Sequence, residues 1–293
     1  MKNYRVSRSI KKGVIYIFMI VFGLIAVVPV WILLINATRS TVQINSGLSI
    51  FPSVHAFHDF TDPVTGTVTK SNWYALTSRG FQIAQGFRNS LIISVLSTLF
   101  NVYFSALTAY AIHIYRFKGR KILWGLIMTL IMLPASLSFI GFYQFMAKLH
   151  LTNTYIPLIV PSIAAAGTVL FMKQYLESIL SLELIEASRI DGAGEFMIFN
   201  KVVLPVIKPA IATQAIFAFV ASWNNFMTPF VLLSKTDMYT LPMLVQMLRG
   251  DIYRTEYGGI YLGIAISLVP IIIFYAFMSR FIISGLTMGS VKE

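Results

Sequence analysis

Long apolar runs alternate with short polar ones along the chain, at residues 14–36, 90–113, 122–147, 155–176, 210–233 and 260–283. Each matches the length of about 20 residues that an α-helix needs to cross roughly 30 Å of hydrocarbon. The alternation predicts an all-α membrane protein with six transmembrane helices, built as a single membrane domain over 14–293 behind a polar tail, 1–13. Between the fourth and fifth runs the pattern changes. Residues 181–209 are charged and contain a turn, with helical spacing on both sides of it. The other long polar stretch, 38–89, mixes Pro52, Pro63 and Gly66 with Val/Thr alternation at Val64–Thr69. It also carries Phe51, Phe57, Phe60, Trp73 and Tyr74. This composition predicts an ordered cap with a hairpin rather than a free linker.

Composition strengthens the membrane assignment. Mean hydropathy is +0.75 and 12% of residues are charged, against about 25% in soluble domains. A net charge of +12 raises nucleic acid as a partner, but the placement of the charges points elsewhere. With the N-terminus inside, fifteen of the 23 basic residues fall on inner segments. Among them are Lys2, Arg5, Arg8, Lys11 and Lys12 before the first run and Arg116, Lys118, Arg120 and Lys121 after the second. That is the bias of cytoplasmic loops, so no nucleic acid is expected as a partner. Both termini and 181–209 are then cytoplasmic, and 38–89 is extracytoplasmic. The first run exceeds the 7–15 residues of a signal-peptide core and is predicted to be an uncleaved span. The absence of cysteine excludes disulfides and thiolate metal sites. His55, His58 and Asp59 lie on a loop without a helical scaffold and are expected to be surface residues, with no metal bound.

Chemistry inside the runs is neutral. Pro29, Pro134, Pro157, Pro161 and Pro270 are expected to kink their helices, and Gly259 and Gly263 to let a neighbour approach closely. No ionisable residue sits deep in a run, where a proton- or sodium-driven carrier would place one. The deep polar groups are Asn101, Ser136, Ser138, Ser162, Thr168, Trp223, Asn224 and Asn225. They suit interhelical hydrogen bonds or a path for a neutral polyhydroxy solute. Asn101, Ser136, Trp223, Asn224 and Asn225 are the pathway candidates. There is no phosphate-cradling GxxxxGK[ST] loop and no HExxH or Ser/His/Asp elbow, so energy is expected from a partner and not from a catalytic site in this chain.

The 181–209 segment predicts a helix–turn–helix. Ser181 is placed to cap the first helix, and Glu183 lies in its first turn, where a carboxylate suits the dipole. Leu184, Ala187 and Ile190 recur at spacing three, and Glu186 and Arg189 form an i, i+3 pair. Gly192 permits positive φ. A second helix, about 195–203, is expected to stop at Pro205, with Pro209 opening the fifth span.

The run Glu186-Ala187-Ser188-x-x-Asp191-Gly192-Ala193, followed by Phe199, Leu204-Pro205 and Pro209, resembles the EAA motif of ABC-importer permeases. Asn89-Ser90 at the second span, Trp223-Asn224-x-Phe226 in the fifth and Gly285-Leu286-Thr287-x-Gly289 near the end extend the resemblance over most of the chain. The pattern is most similar to the maltose-transporter type of second permease, in the carbohydrate class, with Ser188 in place of a commoner alanine and Leu180 where proline is frequent. The resemblance implies the type I importer fold with a coupling helix that docks on an ATPase subunit through Glu186, Ala187, Ser188, Asp191, Gly192 and Ala193. It implies a tail contact through Gly289, Ser290, Lys292 and Glu293. The implied partners are a second, heterologous permease, an ATP-binding subunit dimer carrying the ATP and Mg, and an extracytoplasmic solute-binding protein. The implied setting is a bacterial cell membrane and the implied cargo a sugar or oligosaccharide. The rival readings are a permease for another solute and a carrier working alone. Single cysteines introduced at Gly66 and Gly194 are expected to react with an impermeant maleimide from opposite sides of the membrane, and same-side labelling would overturn the orientation.

Overall fold

The computed structural model describes residues 2–61, 64, 66–78, 82–249 and 256–289. Helix α1 (Lys2–Ala37) and α2 (Thr41–Asn45) precede strands β1 (Phe60–Thr61) and β2 (Val68–Thr69), then α3 (Asn72–Thr77) and α4 (Ile83–Ile114). Next come α5 (Arg120–Met132), α6 (Ala135–Lys148), α7 (Ile156–Ile159), a 3₁₀ turn at Val160–Ala164, and α8 (Ala166–Ile179). The charged segment holds α9 (Leu182–Ile190), α10 (Glu195–Ile198), a π turn at Phe199–Val203, and α11 (Leu204–Val206). The chain continues through α12 (Lys208–Trp223), α13 (Met227–Leu232), a 3₁₀ turn at Thr236–Met238, α14 (Leu241–Met247) and α15 (Tyr257–Gly289).

Four helical stretches among the described residues are long and apolar enough to cross a membrane: Lys12–Ala37, Ile83–Ile114, Ile156–Ile179 and Tyr257–Phe281. The expected third and fifth runs are each broken. The third parts at Leu133, whose ψ of 129° is extended, with Pro134 heading α6. Proline drives the residue before it out of the helical region. The fifth parts after Trp223, where Asn224 closes α12 and α13 begins three residues later. Pro29 and Pro270, by contrast, lie inside α1 and α15. Two boundaries also move: α1 already runs from Lys2, inside the expected tail, and α4 starts at Ile83, inside the expected cap.

The chain forms two compact units, Met1–Ile83 with Val245–Leu268, and Ala84–Leu244 with Val269–Glu293. In the first unit the expected hairpin is present, shifted toward the N-terminus. Phe60 pairs with Thr69 and Thr61 with Val68, antiparallel. The cap is organised by buried polar groups. Asn72 Nδ2 donates to the carbonyls of Ala37 and Arg39, each at 2.9 Å. Arg39, only 7% exposed, donates to Asn36 Oδ1 at 3.2 Å and to the carbonyls of Gln43 and Gly47. Asn72 thus satisfies carbonyls at and just beyond the end of α1, and Arg39 those at and just beyond the end of α2. His55 was expected at the surface and is instead 1% exposed. Its ring packs edge-on against Phe60 at 5.8 Å, and its backbone bonds Thr38 and Asn72. His58 and Asp59 stay exposed, with Asp59 paired to Lys70 at 2.9 Å. No three potential metal ligands come together among the described residues.

The second unit carries one continuous apolar core. Val102, Ala106, Tyr110 and Ile112 of α4 meet Val169, Met172 and Leu176 of α8, and Ala210 and Ala215 of α12. Ile185, Ile198, Phe199, Val203 and Ile207 from the charged segment belong to the same core. At the other end of α4, Asn89 Nδ2 donates to the carbonyls of Asp237 and Tyr239, and Ser90 Oγ accepts from the Leu241 N–H at 2.9 Å.

Glycines of α15 make close approaches within the first unit. A Cβ at Gly258 would stand 2.1 Å from Asn72 Oδ1 and 2.6 Å from the Arg39 carbonyl, and one at Gly263 2.9 Å from Val245 Cγ2. Because Asn72 is fully committed to the end of α1, it has nowhere to move. Gly258→Val is expected to cost about 1–3 kcal/mol or more from overpacking, read as a lower midpoint of thermal unfolding in detergent. An unchanged midpoint would contradict this packing.

Candidate functional site

Caps at both ends of α9 set the local geometry of the charged segment. Ser181 Oγ accepts from the Leu184 N–H at 3.4 Å, and Glu183 occupies the first turn of α9. The helix closes at Asp191. Gly192 takes φ +81°, its N–H bonds the Arg189 carbonyl at 3.0 Å, and the Ala193 N–H bonds the Ser188 carbonyl at 3.1 Å. These two bonds are the Schellman pattern, and they require a left-handed residue where Gly192 stands. Gly194 then leads directly into α10.

Two details depart from the sequence expectation, and a third is left open by it. The stripe of Leu184, Ala187 and Ile190 faces outward, with Ile190 85% exposed. The inward anchor of α9 is Ile185, fully buried. A nine-residue helix offers too few turns for spacing alone to say which apolar position faces in. Arg189 does not pair with Glu186 but with Glu195, Nε to Oε1 at 2.7 Å. The second helix also does not stop at Pro205. It runs to Val206 and bends by 82° into α12 at Ile207. The π turn at Phe199–Val203 lies immediately before Leu204-Pro205. A proline there removes a backbone donor and crowds the preceding turn, and a widened turn accommodates both effects.

Glu195 escaped the sequence reading altogether. Its carboxylate accepts from Arg189, from the Tyr115 hydroxyl and from the Tyr110 hydroxyl, the last at 3.4 Å. The Arg189 guanidinium lies 5.9 Å from the Tyr115 ring. The bond from Arg189, and behind it that from Tyr115, hold the Glu195 carboxyl below the usual carboxylate range. Burial, and then the Glu195 carboxylate, push the Tyr115 phenol up. Because the Glu195 pKa is depressed, its contacts contribute fully at neutral pH and are lost only as pH falls through that lowered value.

On the solvent side the segment presents Glu186, Ala187, Asp191 and Gly192, all exposed, with Ser188 and Ala193 half-buried. Around them stand Ile190, Phe196 at 70% exposure and Met197 at 49%. On the other side Phe199 is 1% exposed and meets the rings of Tyr103 and Tyr110, each at 5.6 Å. The segment thus presents a charged turn with uncovered aromatic and aliphatic side chains, backed by a packed core.

The segment lies within residues 101–287, which match the family described as binding-protein-dependent transport system inner membrane component. The chain belongs to this family. It is 36% identical over 270 residues to the arabinooligosaccharides transport system permease protein AraQ of Halalkalibacterium halodurans, covering 92% of each chain. It is 29% identical to AraQ of Bacillus subtilis, covering 97% of each. Its identity to the trehalose/maltose transport system permease protein MalG of Thermococcus litoralis is 34%, over 70% of this chain and 74% of the relative. A chain of a bacterial ABC transporter involved in the import of the acidic polysaccharide alginate has the same fold, with a TM-score of 0.74 at 22% identity over 94% of this chain and 97% of that one.

For this transport-system membrane component, the structure keeps the candidate pathway residues apart from the charged segment. Trp223 is 1% exposed, between Phe87 at 5.5 Å and Phe219 at 5.8 Å. Asn224 is exposed. Asn225 caps α13, its Oδ1 accepting from the Thr228 N–H at 3.2 Å. Ser90, Ser222, Trp223, Asn225 and Thr240 help to line a cavity of about 20 Å³, room for one water and not for a sugar ring. Asn101 keeps a buried Oδ1 without a hydrogen bond. The side chain of Ser136 falls outside the described residues, as do Ser290, Lys292 and Glu293, while Gly289 ends α15. Phe199→Ala is expected to cost about 3–5 kcal/mol and to lower the unfolding midpoint in detergent. Phe196→Ala, on the exposed side, should leave it nearly unchanged. Equal effects would contradict the assigned faces.

Proposed function

We propose that this chain is the permease subunit of an ATP-driven importer for a sugar or oligosaccharide. The observation that carries the reading is the capped, outward-facing α9 turn, with Glu186, Asp191 and Gly192 exposed on a helix whose other side is anchored in the membrane-domain core. The relatives named for arabinooligosaccharide and for trehalose or maltose transport support a carbohydrate cargo. The neutral Asn and Ser groups of the spans suit an uncharged hydroxylated solute.

In this reading the domain crosses the membrane six times, with the third and fifth spans broken at Leu133-Pro134 and after Trp223, and both termini lie in the cytoplasm. Residues 181–209 form the coupling loop. Glu186, Ala187, Ser188, Asp191, Gly192 and Ala193 contact a separate ATPase dimer, joined by the tail Gly289, Ser290, Lys292 and Glu293. ATP and Mg are held by that dimer, and this chain has no nucleotide site of its own. The span Lys12–Ala37 buries none of its apolar window within the chain, as suits half a pathway that packs against lipid and a related second permease. An extracytoplasmic binding protein delivers the solute. Closure of the ATPase dimer on ATP draws the two coupling helices together and turns the cavity outward. Opening after hydrolysis turns it inward. Asn101, Ser136, Trp223, Asn224 and Asn225 line the path in at least one of these states, Trp223 leaving its phenylalanine contacts when the fifth span moves.

The test is co-expression with the partner genes, reconstitution, and a panel of neutral oligosaccharides in a binding-protein-stimulated ATPase and uptake assay. Stimulation by at least one sugar is expected. Glu186→Lys and Gly192→Val should insert normally yet abolish uptake, the first by reversing charge at the contact and the second because a β-branched residue is strained at φ +81°. Normal uptake in both variants, or ion-gradient-driven sugar flux by this chain alone, would overturn the reading.

A further inference from the structure

The docking helix has a mechanical problem. Helix α9 has nine residues and only one of its side chains, Ile185, is buried. Its C-terminal end runs into the glycine-containing turn Gly192-Ala193-Gly194, whose first residue is left-handed. A force applied at Glu186 or Asp191 could rotate such a helix about Ile185 and dissipate at the turn, without moving the spans. Something must fix the end of α9 to the membrane domain if a push there is to count.

We propose that Glu195 does this, as a positioning residue that clamps the end of α9 to the end of α4 across the Gly192 turn. Its two carboxylate oxygens face different elements. Oε1 accepts from Arg189 Nε in the last turn of α9 at 2.7 Å. Oε2 accepts from the hydroxyls of Tyr115, one residue beyond α4, and Tyr110, within its last turns. Tyr110 is 2% exposed and lies against Phe199, so the clamp is seated on the core. The Tyr110 and Tyr115 rings meet edge-on at 5.8 Å, and the Arg189 guanidinium stands over Tyr115. One carboxylate thus joins α9, α10 and the end of α4, and its bond from Arg189 is charge-assisted and directional. The pair is 40% and 48% exposed, so its value is not bulk stability, since exposed ion pairs contribute little of that. What it supplies is a fixed angle. Glutamine could offer Tyr115 an acceptor but would set an amide group, without charge, against Arg189. Aspartate is one methylene too short to reach both elements.

The proposal rests on the permease reading above, and the test separates the two. In the first arm, spin labels on Glu183→Cys and Lys118→Cys in the assembled complex report the distance between α9 and the end of α4 without any sugar. A single narrow distribution is expected in the parent chain, broadening with Glu195→Gln and with the near-isosteric Tyr115→Phe. In the second arm, the complete complex in proteoliposomes is given arabinotriose, maltose and trehalose, and sugar moved per ATP hydrolysed is measured. Glu195→Gln and Tyr115→Phe are each expected to assemble with the ATPase and to lower that ratio by about fivefold or more, the lower end of a typical coupling between sites. The double variant should lose no more than Glu195→Gln alone, because both remove one clamp. A purely structural role would lower the yield of complex and leave the ratio of what assembles unchanged. Narrow distances in both variants, an unchanged ratio in Tyr115→Phe, or additive losses in the double variant would each overturn the clamp. If the parent complex couples no sugar to ATP but the distances broaden as expected, the transport reading fails and the clamp stands.

Discussion

The packing of Ile185, Ile198, Phe199, Val203 and Ile207 into the core formed by α4, α8 and α12 is the interaction on which the functional segment depends. A polar loop between two spans would ordinarily be free to move, because its backbone is satisfied by water and nothing apolar holds it. Here five apolar side chains from that loop are removed from water against the same residues that pack the spans. Burying a large aliphatic or aromatic side chain is worth about 1.5–3 kcal/mol each, so the segment is bound to the spans far more tightly than by its hydrogen bonds. The charged residues then have only the outer surface left to occupy. The site is the solvent face of a core element rather than an appendage.

Two irregularities follow from the same arrangement. The bend of 82° at Ile207 turns the chain from the loop into α12, and Ile207 at the corner is fully buried. The π turn before Leu204-Pro205 keeps Phe199 and Val203 pointing into the core while accommodating a proline inside the helix. In the cap, the buried Arg39 and Asn72 have an analogous task. Asn72 closes carbonyls at the end of α1 and Arg39 those at the end of α2, and Gly258 leaves room for Asn72.

The break after Trp223 has a different character. Trp223 is packed between phenylalanines, and Phe219 stacks on Phe274 at 4.2 Å, so α12 ends on an aromatic cluster. The chain then continues as the short helix α13, capped by Asn225. Such a break leaves backbone groups open at the facing ends of the two helices. Backbone of that kind is tolerated in a membrane where the freed groups are buried in protein or line a cavity.

Much of this was legible in the sequence, for physical reasons that act locally. Apolar run length marks the chain as a membrane protein, though only four of the described helices are long and apolar enough to cross alone; Ser181 caps through its own hydroxyl, and the Gly192 turn needs a residue without Cβ strain. These features depend on neighbours a few positions away, as does the family motif itself. The tertiary structure decided what depends on distant partners. It chose Ile185 over Leu184 and Ile190 as the anchor, turned Arg189 from Glu186 to Glu195, buried His55 and Trp223, and carried the second helix past Pro205. Arg189 takes a partner on the far side of the Gly192 turn and Trp223 packs on Phe87 of another helix, through shape and burial that no local pattern encodes.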